Sequence, residues 1–197
     1  MNSLQRAIVG ACIPIVLQAQ QSPTPRDKVC DAQVVVVRQA RSGPELRGAI
    51  RHLGACQPTP AMAIEAANAY RRLSSTTDTA ELEGLLALAT RSDNPAALGA
   101  VLTVVEDASA TGVARIAGFA ALARLVMPGR AVRYSDMLGG IDESGLSRAT
   151  CSSGMIAGKV REPRMPDAIR ERIRVVSRAV AGNIREKPDV RSAASCL

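Results

Sequence analysis

Between residues 28 and 127 apolar positions recur at helical spacing, and residues that start and stop helices separate the runs. The pattern predicts six helices in three hairpins. The first covers about 28–41, with Val29, Val34, Val36, Val37 and Ala40 on its apolar side; its four consecutive valines are β-prone and count against a helix. The second, 44–56, places Leu46, Ala49, Ile50 and Leu53 at i, i+3, i+4 and i+7. The third, 60–73, carries Ala63, Ala66, Ala67, Tyr70 and Leu73. The fourth, 79–90, follows Asp78 as N-cap and carries Leu82, Leu85, Leu86 and Ala89. The fifth runs 95–108 behind Asn94, and the sixth runs 111–127 and stops at Pro128-Gly129.

First-of-pair helices begin near 28, 60 and 95, and second-of-pair helices near 44, 79 and 111. Both series step by roughly 32–35 residues, as in a stacked array of helical hairpins. The run Ala114-Arg115-Ile116-Ala117-Gly118-Phe119-Ala120-Ala121-Leu122-Ala123-Arg124-Leu125 resembles the second helix of a HEAT-type repeat, and Pro44-Glu45-Leu46-Arg47-Gly48-Ala49-Ile50 resembles the start of another. The resemblance covers residues 28–127 and implies a short α-solenoid; the period is short for that family. The plainer alternative is an irregular helical bundle. Either way the expected fold class is all-α.

The pattern breaks after Pro128. Residues 128–165 are interrupted by glycine, proline and polar residues and read as an irregular segment with room for a short helix or hairpin. Periodicity returns over 166–185, where Ile169, Ile173, Val176 and Val180 form an apolar stripe and Arg170, Arg174 and Arg178 a neighbouring one at i, i+4, i+8. Residues 186–197 read as a tail. The expected organisation is a single helical domain over 28–197.

The first 20 residues have a different character. Arg6 precedes the uncharged run Ala7–Leu17, and Leu17-Gln18-Ala19 offers a cleavage site ahead of the polar stretch 20–27, which reads as an extended mature N-terminus. Residues 1–19 therefore read as a signal peptide, and the chain as exported, periplasmic or secreted. Val9-Gly10-Ala11-Cys12 loosely matches a lipoprotein box, so lipidation at Cys12 is a minor alternative, as is an uncleaved N-terminal helix. The run is too short to span a bilayer, and no other segment comes nearer to the roughly 20 residues required.

Export gives the remaining cysteines a role. Cys30, Cys56, Cys151 and Cys196 are an even set, which an oxidising compartment would pair. Cys30 lies thirteen residues before Gly43 and Cys56 thirteen after. That symmetry sets them level at the open end of a hairpin turning at Arg41-Ser42-Gly43-Pro44. A bridge there closes a loop worth about 3–4 kcal/mol. Cys151–Cys196 follows by elimination. No zinc-ligand spacing is present, and no metal or cofactor is expected.

Candidate catalytic chemistry is thin. His52 is the only histidine and reads as a helix-surface residue, so triads and His-rich metal sites lack material. Ser153-Gly154-Met155-Ile156-Ala157-Gly158-Lys159 lacks the first glycine and the hydroxyl of a phosphate-binding loop. Three carboxylate pairs stand out: Glu81/Glu83 and Glu106/Asp107 on helices, where solvated faces explain them, and Asp142/Glu143 in the irregular segment, the one foothold for a hydrolase.

Composition points toward binding. The chain of 197 residues is 47% apolar, almost without aromatics, and carries a net charge of +7 that is nearly all arginine. GC-rich coding explains such a bias; bidentate anion recognition is the functional alternative. The basic C-terminal third would suggest nucleic acid in a cytoplasmic protein, but export and the lack of stacking aromatics exclude that reading. The remaining expectations are a non-catalytic interaction module for a protein of the envelope or extracellular space, or a binder of anionic lipid or polymer surfaces. The expected binding surfaces are the Arg170, Arg174 and Arg178 stripe, which the anionic-surface reading uses, and the 131–162 segment; for the stripe, a solvated face paired to Glu162, Asp167, Glu171 and Glu186 is the bland alternative.

Overall fold

The structure is a computed structural model that describes residues 24–76, 78–127, 134–137, 139–141, 147–149 and 165–197. Residues 1–19, expected to be a signal peptide, together with Cys12, Cys151, Asp142/Glu143, Glu162 and the Ser153–Lys159 run, lie outside the described residues.

The fold is all-α. Helices α1 (Pro25–Gln39), α2 (Pro44–Gly54), α3 (Pro60–Arg72), α4 (Thr79–Ala89), α5 (Pro95–Glu106) and α6 (Gly112–Val126) follow one another with short turns. The one-turn helix α7 (Tyr134–Met137) comes next, then strands β1 (Gly139–Ile141) and β2 (Ser147–Ala149), paired antiparallel with Gly140 opposite Arg148. Helices α8 (Asp167–Gly182) and α9 (Pro188–Ala194) close the chain.

Local chemistry sets these boundaries. Thr59, Asp78, Asn94 and Thr111 each turn a side-chain oxygen onto first-turn amides of the helix that follows, and α3 and α5 carry proline at their first position. Residues 24–27, the described end of a stretch expected to be extended, instead open helix α1 at Pro25. Thr24 and Asp27 form a capping box there: the Thr24 amide donates to Asp27 Oδ2 at 2.9 Å, and Thr24 Oγ1 accepts from the Asp27 amide at 3.2 Å. The valine run stays helical because Val37 is fully buried while Val34 and Val36 pack on the core. Tertiary burial outweighs the β preference. Helix α1 closes at Ala40, and Gly43 precedes α2 with φ 138°, a conformation that favours glycine.

Packing follows two layers. In one, α1 packs on α3, α3 on α5 and α5 on α8; in the other, α2 packs on α4, α4 on α6 and α6 on α9. The pairs α1/α2, α3/α4, α5/α6 and α8/α9 bridge the layers. The stretch expected to be a loose tail thus supplies α9, whose Val190, Ala193 and Ala194 are buried.

The seams between pairs are built from small residues around a few large ones. Tyr70 of α3 is completely buried, and its hydroxyl donates to the Ala114 carbonyl of α6 at 2.8 Å. Burial pushes the Tyr70 phenol far up, so it remains a neutral donor. Tyr70 reaches α6 because Gly118 has no side chain: a Cβ there would lie 2.5 Å from the Tyr70 oxygen and closer still to Val105 of α5. Cys30 and Cys56 are joined at a Cα separation of 6.1 Å, which ties α1 to the end of α2. Among the described residues no helix is long and apolar enough to cross a membrane.

Gly118→Ala should lower the unfolding free energy by about 1–3 kcal/mol through overpacking. Gly48→Ala, on α2 where a Cβ meets nothing, should raise it by about 0.5–1 kcal/mol. Urea denaturation of the two variants checks both; a Gly118→Ala protein as stable as its parent would show that the α3–α5–α6 seam has slack.

Candidate functional site

Helix α8 sits on α5 and α9 with Ile173, Val176, Ser177 and Val180 buried and Ile169 half-buried. The residues one position on from this stripe are Arg170, Arg174 and Arg178, which face the seam between α8 and the end of the chain. Two clefts run along that seam. One, of about 180 Å³, lies between Arg174 and Arg178, with Ser177 and Ala181 of α8 and Ala194, Ser195 and Leu197 opposite. The other, of about 210 Å³, lies between Arg170 and Arg174 and is lined by Val126 and Met127 at the end of α6, with Cys196 and Leu197. Arg174 and Leu197 belong to both.

The structure therefore brings the three arginines together along a concave surface. Their internal partners are few. Arg174 lies 3.5 Å from Glu171, with both side chains more than half exposed, a geometry worth little in water. Among the described residues Arg170 and Arg178 form no ion pair. Glu186, expected as a surface partner, is committed elsewhere.

The other arginines behave differently. Arg72 donates to the Val37 carbonyl in the last turn of α1 at 2.9 Å. Arg91 spans the Leu53, Gly54 and Cys56 carbonyls at the end of α2. Arg115 donates to Val105 O in α5 at 3.0 Å, and Arg191 to Ala181 O in α8 at 3.2 Å. Apart from Leu53 O, which also accepts the Cys56 amide, and Cys56 O, which lies beyond α2, these are last-turn carbonyls, where intrahelical donors run out, and a cation beside them also meets the negative end of the helix dipole. Part of the arginine excess is thus structural, an explanation distinct from coding bias and from anion binding.

One such arginine anchors the site. Arg115 is 3% exposed and pairs at 2.6 Å with Glu186, 9% exposed, in the turn between α8 and α9. Burial pushes the Glu186 carboxyl up, but hydrogen bonds from Arg115 and the Lys187 amide outweigh it and hold the group below its ordinary value. On the far side of α8, Arg172 grips Glu106 of α5 at 2.8 Å.

The helix-borne carboxylate pairs do not form acid–base sites. Glu81 is fully buried and accepts from Ser42 Oγ at 2.6 Å and the Gly43 amide at 2.7 Å, fixing the turn before α2. Glu83 accepts from the Tyr134 amide at 2.9 Å and stands near Arg124 of α6, whose pKa burial lowers. Glu106 holds Arg172, and Asp107 accepts from Ser109. His52 is exposed.

Sequence reasoning missed Val126, Met127, Ser177, Ser195 and Leu197, the walls of the clefts. The signal for α9 was present: Pro188 opens it, and Val190, Ala193 and Ala194 repeat at i, i+3, i+4. Cys196, on the wall of the larger cleft, is disulfide-bonded.

No family model, curated protein or solved structure matches the chain.

Glu186→Gln leaves Arg115 buried without its counter-charge and should destabilise the protein by about 1–3 kcal/mol. Because the folded pKa is depressed, the ionised carboxylate stabilises the fold above the ordinary glutamate value of 4.5, and that contribution is lost as pH falls through the lower folded value. Urea midpoints from pH 7 down to pH 3 should therefore fall less steeply in the variant than in the parent; parallel curves would contradict the assignment.

Proposed function

We propose that this chain is an exported binding protein that uses no catalytic groups of its own and engages an acidic region of another protein through Arg170, Arg174 and Arg178. The observation that carries the reading is the placement of three arginines, largely without internal partners, along two adjoining clefts. The clefts' size supports it. At about 180 and 210 Å³ they fall below the ~300–1,000 Å³ of sites that enclose small-molecule ligands, and suit single side chains. Their concavity favours a protein over a flat lipid surface, the second reading. Stacked pairs in two layers are consistent with the HEAT-like resemblance, and such arrays commonly serve as binding scaffolds. Export is supported by the Cys30–Cys56 bond and by the signal-like Met1–Gln20, since disulfides persist in oxidising compartments. The partner then belongs to the envelope or the extracellular space.

An octaglutamate peptide should bind the parent in low salt, weaken as salt is raised, and lose at least about tenfold in affinity in the Arg170→Gln/Arg174→Gln/Arg178→Gln variant. Phosphatidylglycerol vesicles should bind less well than the peptide. Equal peptide binding by parent and variant would remove the arginine row from the account; stronger vesicle binding would favour the lipid reading. For export, intact mass of protein expressed from its native N-terminus should show loss of residues 1–19 and thiols that alkylate only after reduction. Full-length protein with free thiols would contradict it.

A further inference from the structure

The geometry points to a specific ligand for the α8 clefts, on the reading just proposed: an extended peptide segment carrying a carboxylate and, two residues away, an aliphatic side chain. The two clefts differ in chemistry. Between Arg174 and Arg178 a carboxylate entering the cleft meets two guanidinium groups; Ser177 and Ser195 line the walls with their hydroxyls donated to the Ile173 and Ser192 carbonyls. Between Arg170 and Arg174 the walls include Val126, Met127 and Leu197, which suit an apolar side chain under a charged rim.

The spacing suits an extended backbone. Successive arginines in the row stand four residues apart on α8, so the clefts between them are offset by about 6 Å along the helix. An extended chain presents same-face side chains about 6.4–6.8 Å apart, every second residue. Neighbouring residues point to opposite faces and cannot fill both clefts. A helix presents side chains about 6 Å apart only at i, i+4, so a helical peptide with that spacing is the competing form. Arg174 walls both clefts, whereas Arg170 and Arg178 each wall one. Glu171 lies within ion-pair reach of Arg174 and competes with an incoming carboxylate.

The test uses fluorescein-labelled nonapeptides with Gly-Ser flanks, titrated to millimolar concentration against the full chain. Those containing Asp-Ser-Leu or Leu-Ser-Asp are compared with an isomer containing Asp-Leu-Ser. At least one spaced peptide should bind about tenfold more tightly than the isomer. Arg174→Gln should abolish that preference and weaken binding more than Arg170→Gln or Arg178→Gln, while Glu171→Gln should tighten it; circular dichroism confirms that each variant is folded. Equal binding of spaced and adjacent peptides, or none by either, overturns the motif, as does tighter binding by a helical peptide with Asp and Leu four residues apart. If octaglutamate binding still depends on the arginines, the broader reading survives that failure. If it does not, both fall.

Discussion

A helix that ends inside a stacked array leaves carbonyls that its own backbone cannot satisfy, and those carbonyls need donors from a neighbour. Here the donor is repeatedly a guanidinium. Arg72 links α3 to the end of α1, Arg91 reaches from the turn after α4 to the end of α2, and Arg115 links α6 to the end of α5. Each contact joins the closing turn of one helix to another part of the stack, so the pairs are tied at their ends as well as through their apolar faces. Arg115 carries the arrangement furthest, because its second contact, to Glu186, holds the α8/α9 turn against α6.

Between these ends the layers approach closely because alanine and glycine face the seams. Tyr70 illustrates the consequence: one large ring crosses from α3 to α6 over Gly118 and satisfies its hydroxyl on a backbone carbonyl. With so few aromatic residues, much of the core's specificity rests on a few such insertions and on the Cys30–Cys56 tie at the first pair. The structure has little need of large side chains because small ones permit close helix contact.

Much of the helical layout was legible because its signals are local. Asp78 and Asn94 act as N-caps as their positions suggested, and the symmetric placement of Cys30 and Cys56 about Gly43 matches the bond. The errors have equally local causes. Thr24-Pro25-Arg26-Asp27 is a capping box whose polar composition resembles a linker, and α9 is short enough to pass for a tail. The site was legible in part. Four-residue spacing puts Arg170, Arg174 and Arg178 on one stripe, and the structure keeps them there. The walls opposite were not legible, because Val126, Met127, Ser195 and Leu197 meet the row only through the packing of α6 and α9. The roles of Glu81 and Glu106 were hidden for the same reason: their partners, Ser42 and Arg172, lie 39 and 66 residues away.

Some arginines are engaged at helix ends, others such as Arg172 in ion pairs, and the row on α8 is left to meet a ligand. Observing the arginine side-chain Nε–Hε signals by NMR during titration with octaglutamate tests that division most directly. The signals of Arg170, Arg174 and Arg178 should shift progressively and saturate, while those of Arg72, Arg91 and Arg115 stay in place. Uniform shifts across all arginines, or shifts confined to Arg72, Arg91 and Arg115, would contradict it.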